Sequence, residues 1–200
     1  MKVIGITGTS GSGKSTVSGW LREWGYPVLD GDAISRELAT PGSPYVEALV
    51  REFGPGICDE SGALARQALG LRVFADPEGL RRLTEITTPL ILAELRRRIE
   101  AARRQGFSVV FLDGALIIDT PFEALCDKIL LVEGDRAGQI ERIARRDGIS
   151  LDAARQRLDS QQSSEKLRRR ADYLLENRGT LEELRGKTEQ ILKTIKGMDS

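Results

Sequence analysis

The segment Gly8–Ser15, with the sequence GTSGSGKS, constrains the fold of this chain more than any other stretch. It matches the pattern G-x-x-x-x-G-K-[ST] in full. The apolar run at residues 2–7 precedes it, and Val17, Leu21 and Trp24 follow at helical spacing. Glycines let successive backbone N–H groups turn inward around an anion, and the start of a helix adds positive partial charge. The segment therefore predicts a phosphate-binding loop between a strand and a helix.

Each position of this loop has an expected role in binding a nucleotide. Lys14 is expected to reach the β- and γ-phosphates, and the Ser15 hydroxyl to bind Mg²⁺. The alternatives are a Gly/Ser turn that merely precedes a helix, or a dinucleotide-binding fold, which the Lys-Ser pair disfavours. The predicted nucleotide-binding residues of the loop are Gly8, Thr9, Ser10, Gly11, Ser12, Gly13, Lys14, Ser15 and Thr16.

The order of apolar runs predicts an α/β fold with a parallel sheet of about five strands and helices on both faces. Residues 33–105 read as a helical insertion after the second strand, in which Pro89 is expected to kink or break a long helix. Residues 135–170 read as basic helices before the last strand. We expect one domain over residues 1–200. The predicted strands are residues 2–7, 26–30, 107–113, 127–134 and 172–177.

Three carboxylates lie at or just past the ends of predicted strands, where open parallel sheets bind their ligands. Asp30 and Asp32, in the sequence DGD, could orient a hydroxyl group and accept its proton, or one of them could cap the next helix. Asp113 ends the run VVFLD, which has the form of a segment that holds Mg²⁺, although an Asp at a strand end is common. Their convergence on one edge predicts a single site.

Composition excludes several other classes of function. The chain has no histidine, so mechanisms that need an imidazole are excluded. Its 30 basic and 30 acidic residues balance, so we expect neither nucleic acid nor a membrane as a partner. No membrane-spanning run or signal peptide is apparent, and Cys58 and Cys126 form no motif, which together indicate the cytoplasm.

Beyond these patterns, nearly the whole chain resembles the dephospho-coenzyme A kinases. GITGTSGSGKSTV is similar to the opening of that family, and DGDAISRELATPGSP to its D-x-D segment. QIERIARRDGISLDAARQRLDSQQ looks like its lid and ADYLLENRGTLEELRGKTEQIL like its end. The family usually has Gly, His and Pro at the positions of Thr9, Thr88 and Ala115, and Glu at the position of Asp119.

The resemblance implies a three-layer P-loop kinase fold and the phosphorylation, by ATP with Mg²⁺, of the ribose 3′-hydroxyl of dephospho-coenzyme A. It implies Asp32 as the catalytic base, Arg146 or secondly Arg142 as a catalytic lid arginine, and Asn177 beside the adenine. Residues 33–105 would bind the acceptor and residues 135–170 would form the lid, in a monomer or weak homo-oligomer. A kinase for another small molecule, or a nucleotide-binding regulator without activity, is the alternative.

Overall fold

The computed structural model describes residues 1–74 and 76–197. The strands are β1 (Lys2–Thr7), β2 (Val28–Asp30), β3 (Val109–Asp113), β4 (Lys128–Gly134) and β5 (Tyr173–Asn177). The α-helices are α1 (Lys14–Glu23), α2 (Gly31–Leu38), α3 (Pro44–Phe53), α4 (Arg66–Phe74), α5 (Pro77–Arg104), α6 (Arg136–Asp147), α7 (Leu151–Asp159), α8 (Ser164–Arg170) and α9 (Leu181–Gly197).

The five strands form one sheet in the order β2-β3-β1-β4-β5. β1 pairs in parallel with β3 on one side and with β4 on the other, and β5 pairs in parallel with β4. This confirms the predicted sheet. β2 and β3 lie on one side of β1, and β4 and β5 lie on the other. In sheets of this kind, ligands bind beyond the carboxyl ends of the strands where the strand order reverses. The segment Gly8–Ser15 occupies that place.

Both faces of the central strands are covered. Every residue of β3 is buried, and so are five consecutive residues of β1. Because successive side chains of a strand point to opposite faces, such runs require a covering layer on each side. On one face, Phe111 of β3 packs in a cluster with Leu21 of α1 and Leu184 of α9. The three layers are therefore helices, sheet and helices.

The chain divides into two compact units. One comprises Met1–Leu29 together with the chain from Ile99 onward, and the other is Asp30–Arg98. The second unit has an apolar cluster of its own, with Tyr45, Leu49 and Phe53 of α3 at its centre. It is mostly helical, as predicted for the insertion after the second strand, and it covers most of the expected range 33–105.

Pro89 does not break the long helix, so that alternative of the prediction is wrong. α5 continues through Pro89 from Pro77 to Arg104. Leu83, Ile86 and Leu90 pack against the apolar cluster of the second unit. Because Pro89 has no N–H group, the helix lacks one hydrogen bond there. The burial of apolar side chains before and after the proline offsets the free energy of that missing bond.

The lid range contains α6, α7 and α8. Ile140 and Ile143 of α6 form a small apolar cluster with Ala154 and Leu158 of α7. Ser150 and Ser163 cap α7 and α8, since each hydroxyl accepts a hydrogen bond from a first-turn N–H group. The basic run at 165–170 is thus a short, separately capped helix.

Candidate active site

The loop between β1 and α1 has the backbone that its glycines allow. Gly11 and Gly13 have φ values of 71° and 99°, a region that other residues rarely adopt. Gly13 caps α1 without any side-chain hydrogen bond to the first-turn N–H groups. In many helices a polar side chain satisfies those groups. Here the Thr16 N–H group donates to the Gly13 carbonyl at 3.0 Å, and the N–H groups of Lys14 and Ser15, nearer the start of the helix, can bind an anion.

Close packing also requires glycine in this loop. A Cβ atom on Gly8 would lie 2.3 Å from the carbonyl oxygen of Val132, and one on Gly13 would lie 2.4 Å from Asn177 Nδ2. Both distances are far below a van der Waals contact. The loop therefore rests directly on the ends of β4 and β5, which fixes its position relative to the sheet.

Lys14 and Asp113 form an ion pair beside the loop. Asp113 is the last residue of β3 and its side chain is only 6% exposed, while that of Lys14 is 18% exposed. The structure thus brings together Lys14, at the start of α1, and Asp113, at the end of β3, which the sequence singled out in two separate motifs. A nucleotide that draws Lys14 to its phosphates would leave the Asp113 carboxylate free for another cation.

Ser15 and Asp113 offer the oxygen donors that Mg²⁺ prefers. Mg²⁺ is commonly held in kinases by one or two side-chain oxygens, substrate phosphates and water, not by a cage of protein ligands. Residues 1–74 and 76–197 contain no cluster of three or more potential metal-binding side chains of His, Cys, Asp and Glu. The chemistry of the donors therefore fits the ion that the sequence implies.

A cavity of about 700 Å³ opens above the loop. Ligand sites of roughly this size, about 300–1,000 Å³, hold molecules as large as a nucleotide. Arg142 lines the cavity, and its Nη2 atom is buried with no hydrogen-bond partner in the described part of the chain. A buried donor of this kind is costly unless an acceptor binds there. The other lining residues are Gly8–Ser15, Ala115, Leu116, Arg145, Arg146, Ser160, Gln161, Gln162 and Leu167.

Within the described chain, four side chains from outside the loop form hydrogen bonds to its residues 9–12. Gln139 Nε2 donates to Thr9 Oγ1 at 2.7 Å and to the Ser10 carbonyl at 2.8 Å. Arg142 Nε donates to the Gly11 carbonyl at 2.6 Å, and Asn177 Nδ2 to the Ser12 carbonyl at 2.8 Å. From the segment between α7 and α8, Gln161 Oε1 accepts a hydrogen bond from the Ser10 N–H group at 2.8 Å.

Arg142 and Asn177 are among the predicted site residues, as a lid arginine and as the neighbour of the adenine, whereas Gln139 and Gln161 are not among them. The available signal for Gln139 was its place one helical turn before Arg142, next to the apolar Ile140 and Ile143. A polar residue on that side of a helix is buried and needs partners, and Gln139 is 3% exposed. Gln161 gave no comparable signal, since it lies outside any helix or strand.

Arg146 lines the cavity but its guanidinium turns to its neighbour. It donates to Asp147 at 2.7 and 2.9 Å, and its side chain is 55% exposed. The hydrogen bond to Asp147 raises the pKa of Arg146 and lowers the pKa of Asp147. Because the ion pair is at the surface, the Arg146 side chain can leave Asp147 for a phosphate at a small cost in free energy.

The two aspartates of DGD have different surroundings. Asp30 caps α2, because its Oδ1 atom accepts a hydrogen bond from the Ala33 N–H group at 2.9 Å. The capping alternative is thus confirmed for Asp30. Asp32 lies in the first turn of α2 and is exposed. Both belong to the second unit, whereas Lys14, Asp113 and Asn177 belong to the first.

None of the described helices combines the length and the apolar character that crossing a bilayer requires.

Comparisons with known proteins agree on one family. The family model described as "Dephospho-CoA kinase" matches residues 2–183. A dephospho-CoA kinase of Symbiobacterium thermophilum is 43% identical over 189 residues, which are 94% of this chain and 79% of that protein. The crystal structure of TT1252 from Thermus thermophilus is 35% identical, with a TM-score of 0.80, over 100% of this chain and 98% of that one. A dephospho-CoA kinase from Campylobacter jejuni is 23% identical, with a TM-score of 0.76, over 99% and 98% of the two chains, and so shares the fold.

Proposed function

Because this chain belongs to the dephospho-CoA kinase family, we propose how its own residues divide the work of the reaction. The enzyme phosphorylates dephospho-CoA with ATP, a step of coenzyme A biosynthesis. The observation that carries the assignment of residues is the loop Gly8–Ser15, which lies below a cavity of about 700 Å³ with Lys14 against Asp113.

We propose that the triphosphate of ATP binds to the loop amides at the start of α1. Lys14 then leaves Asp113 and pairs with the β- and γ-phosphates, because these carry more negative charge than one carboxylate does. Arg142, which lines the cavity, supplies a further guanidinium beside the phosphates. Asn177, beside Gly13 at the edge of the loop, is the residue we expect next to the adenine.

We propose that Ser15 and Asp113 hold Mg²⁺ when the nucleotide is bound. The ion would neutralise part of the charge on the β- and γ-phosphates, which favours transfer of the terminal phosphoryl group. Asp113 is suited to this role because it is anchored at the end of a fully buried strand. Its carboxylate becomes available when Lys14 turns to the phosphates.

Asp32 is the proposed general base. The oxygen of the ribose 3′-hydroxyl forms a bond to the γ-phosphorus, and the bond from that phosphorus to the β–γ bridging oxygen breaks. The hydroxyl proton passes to the Asp32 carboxylate, and ADP leaves with the electron pair of the broken bond. Asp32 suits this role because it is exposed at the start of α2 and Asp30, not Asp32, caps the helix.

The lid arginine of this proposal is Arg146. Guanidinium groups stabilise charge that develops on the phosphoryl oxygens during transfer. Closure of the lid residues 135–170 would also exclude water, which otherwise hydrolyses ATP. The second unit, Asp30–Arg98, is the proposed acceptor-binding part because it carries Asp32.

We further propose a cytoplasmic enzyme without nucleic-acid or membrane partners, active as a monomer or weak homo-oligomer. Both cysteines are free, as is usual in a reducing compartment. Size-exclusion chromatography with light scattering tests the oligomeric state.

The decisive experiment for the function is an acceptor panel analysed by product mass. The full chain is incubated with ATP, Mg²⁺ and either dephospho-CoA or another alcohol, such as shikimate, gluconate or a nucleoside monophosphate. We expect dephospho-CoA to gain one phosphoryl group while the others stay unchanged. Transfer to another alcohol with none to dephospho-CoA would contradict the assignment.

The prediction for Asp32 is a loss of transfer without a loss of ATP binding. Asp32→Asn removes the proton acceptor but leaves the shape, so we expect kcat to fall about 100-fold or more. The affinity for MgATP, measured by calorimetry, should stay within about twofold of wild type because the nucleotide binds to the other unit. Glu47→Gln is the matched control, since Glu47 is also an exposed acid in the first turn of a helix of the same unit. Unchanged turnover of Asp32→Asn would exclude it as the base.

A further inference from the structure

Three consecutive carbonyl groups of the phosphate loop point away from its centre. The carbonyl of Ser10 accepts from Gln139, that of Gly11 from Arg142 and that of Ser12 from Asn177. We call these three side chains the outer frame of the loop. They come from α6 and from the end of β5, so two different elements fix the same short stretch of backbone.

The orientation of these carbonyls determines the direction of the amides that follow them. The described peptide bonds are all trans. In a trans peptide the N–H group of the next residue points opposite to the carbonyl. The outward carbonyls of Ser10 and Ser12 therefore turn the N–H groups of Gly11 and Gly13 inward. The intervening Ser12 N–H group donates to the Thr9 carbonyl at 3.1 Å.

Gln139 makes the most extensive contact of this frame. Its amide nitrogen donates to both the Thr9 hydroxyl and the Ser10 carbonyl. The residue is 3% exposed, so a lost hydrogen bond here is not replaced by water. Gln139 lies outside the set of residues that line the nucleotide cavity, whereas Arg142 belongs to it. Because Gln139 is buried and donates to the loop, we expect its influence on a nucleotide to pass through the loop.

We propose that Gln139 is a positioning residue for ATP, which holds the phosphate loop so that its amides face the bound phosphates. This inference rests on the proposed ATP site and adds to it a residue that does not touch the nucleotide. Thr9 takes part in this contact, because its hydroxyl supplies one of the two oxygens to which Gln139 donates. A glycine at that position would leave Gln139 only the Ser10 carbonyl.

The test measures the affinity for MgATP in the absence of any acceptor. We expect Gln139→Ala to weaken binding about tenfold, because two buried hydrogen bonds to the loop are lost. The KM for ATP should rise in parallel, while the KM for dephospho-CoA stays within about twofold of wild type. Glu141→Ala, an exposed position of the same helix, is the control and should bind MgATP as wild type does.

A double-mutant cycle separates this role from general destabilisation. Thr9→Val alone should weaken MgATP binding about threefold, and it should add nothing in the Gln139→Ala background because the shared contact is already gone. Additive effects of the two changes would overturn the proposal.

Gln139→Glu is the second variant if Gln139→Ala does not fold. Its carboxylate cannot donate to the Ser10 carbonyl, so at least the same loss of affinity is expected. A folded variant of either kind that binds MgATP within twofold of wild type would also overturn the proposal. The proposed function fails separately, if wild type binds MgATP but leaves dephospho-CoA unphosphorylated.

Discussion

At the scale of single residues, Arg142 and Arg146 differ in what they already bind. Arg142 donates through Nε to the Gly11 carbonyl and is part of the outer frame of the loop. Arg146 pairs at the surface with its neighbour Asp147. A side chain that holds the phosphate loop before the reaction should affect nucleotide binding. A side chain that contacts the phosphates only when the lid closes should affect the chemical step.

We therefore predict different kinetic effects for the two arginines. Arg146→Ala should lower kcat about 100-fold with a small change in MgATP affinity, since it removes charge stabilisation in the transition state. Arg142→Ala should weaken MgATP binding about tenfold. Steady-state kinetics and calorimetry measure the two effects. Arg155→Ala, an exposed arginine of α7 paired with Asp152, is the control. The reverse pattern would assign the catalytic role to Arg142.

The sequence predicted most single residues of the loop but not what holds it. Lys14, Ser15 and Asp113 follow from patterns in which neighbours along the chain carry the information. Gln139 and Gln161 contact the loop from more than 120 positions away. Such contacts depend on tertiary packing, and a lone glutamine has no spacing rule that identifies it.

At the scale of elements, a charged cluster holds α5 and α2 together within the second unit. Glu94 accepts from Arg97 at 2.7 Å through both of its oxygens and from Arg98 Nε at 2.7 Å. Arg98 also pairs with Glu37 of α2. The pKa of Glu94 is lowered from 4.5 to about 2, and the hydrogen bonds from Arg97 are the largest cause.

This cluster should stabilise the protein in a pH-dependent manner. A carboxyl with a lowered pKa contributes its full stability above the unfolded value of 4.5 and loses it as the pH falls through about 2. We predict that Glu94→Gln is about 1 kcal/mol less stable than wild type near pH 7, and that the difference falls to about half by pH 3. Urea unfolding at both pH values measures it. A difference that does not change with pH would contradict the prediction, and Glu100→Gln on the same helix is the control.

Pro89 is exposed inside α5. Replacement by alanine restores a helical N–H group without removing buried surface. We expect Pro89→Ala to raise the free energy of unfolding by about 1–3 kcal/mol. Urea unfolding measures the gain, with Thr84→Ala at another exposed α5 position as control. A loss of stability would show that the proline shapes the helix in a way that the packing needs.

The sequence predicted the elements because apolar periodicity decides most of them. β1 is observed at the predicted residues 2–7, and β5 begins one residue after its predicted start. Only the expected break at Pro89 was wrong, because local rules assign a cost to the proline but do not include the apolar cluster against which Leu83 and Leu90 pack in one helix. Helix propensity has less effect on whether a helix continues than the packing of apolar side chains on both sides of the residue.

At the scale of the whole molecule, the two compact units raise the question of whether they unfold together. We expected a single domain, and α5 passes from one unit to the other without a break. Both tryptophans of the chain, Trp20 and Trp24, lie on or next to α1 in the unit that carries the phosphate loop. Their fluorescence therefore reports on that unit, whereas circular dichroism reports on the helices of both.

We predict coincident unfolding transitions by these two probes, with and without MgATP. A ligand at about 100 times its dissociation constant adds about 2.7 kcal/mol to the free energy of unfolding, and in a cooperative domain both transitions move by the same amount. Lys14→Ala should abolish the shift, and excess EDTA should reduce it if Mg²⁺ contributes to binding. If MgATP moves the fluorescence transition alone, the units unfold independently and the expectation of one domain is wrong. Coincidence in every condition would instead show that nucleotide binding at the loop stabilises the unit that carries Asp32 through the same cooperative transition.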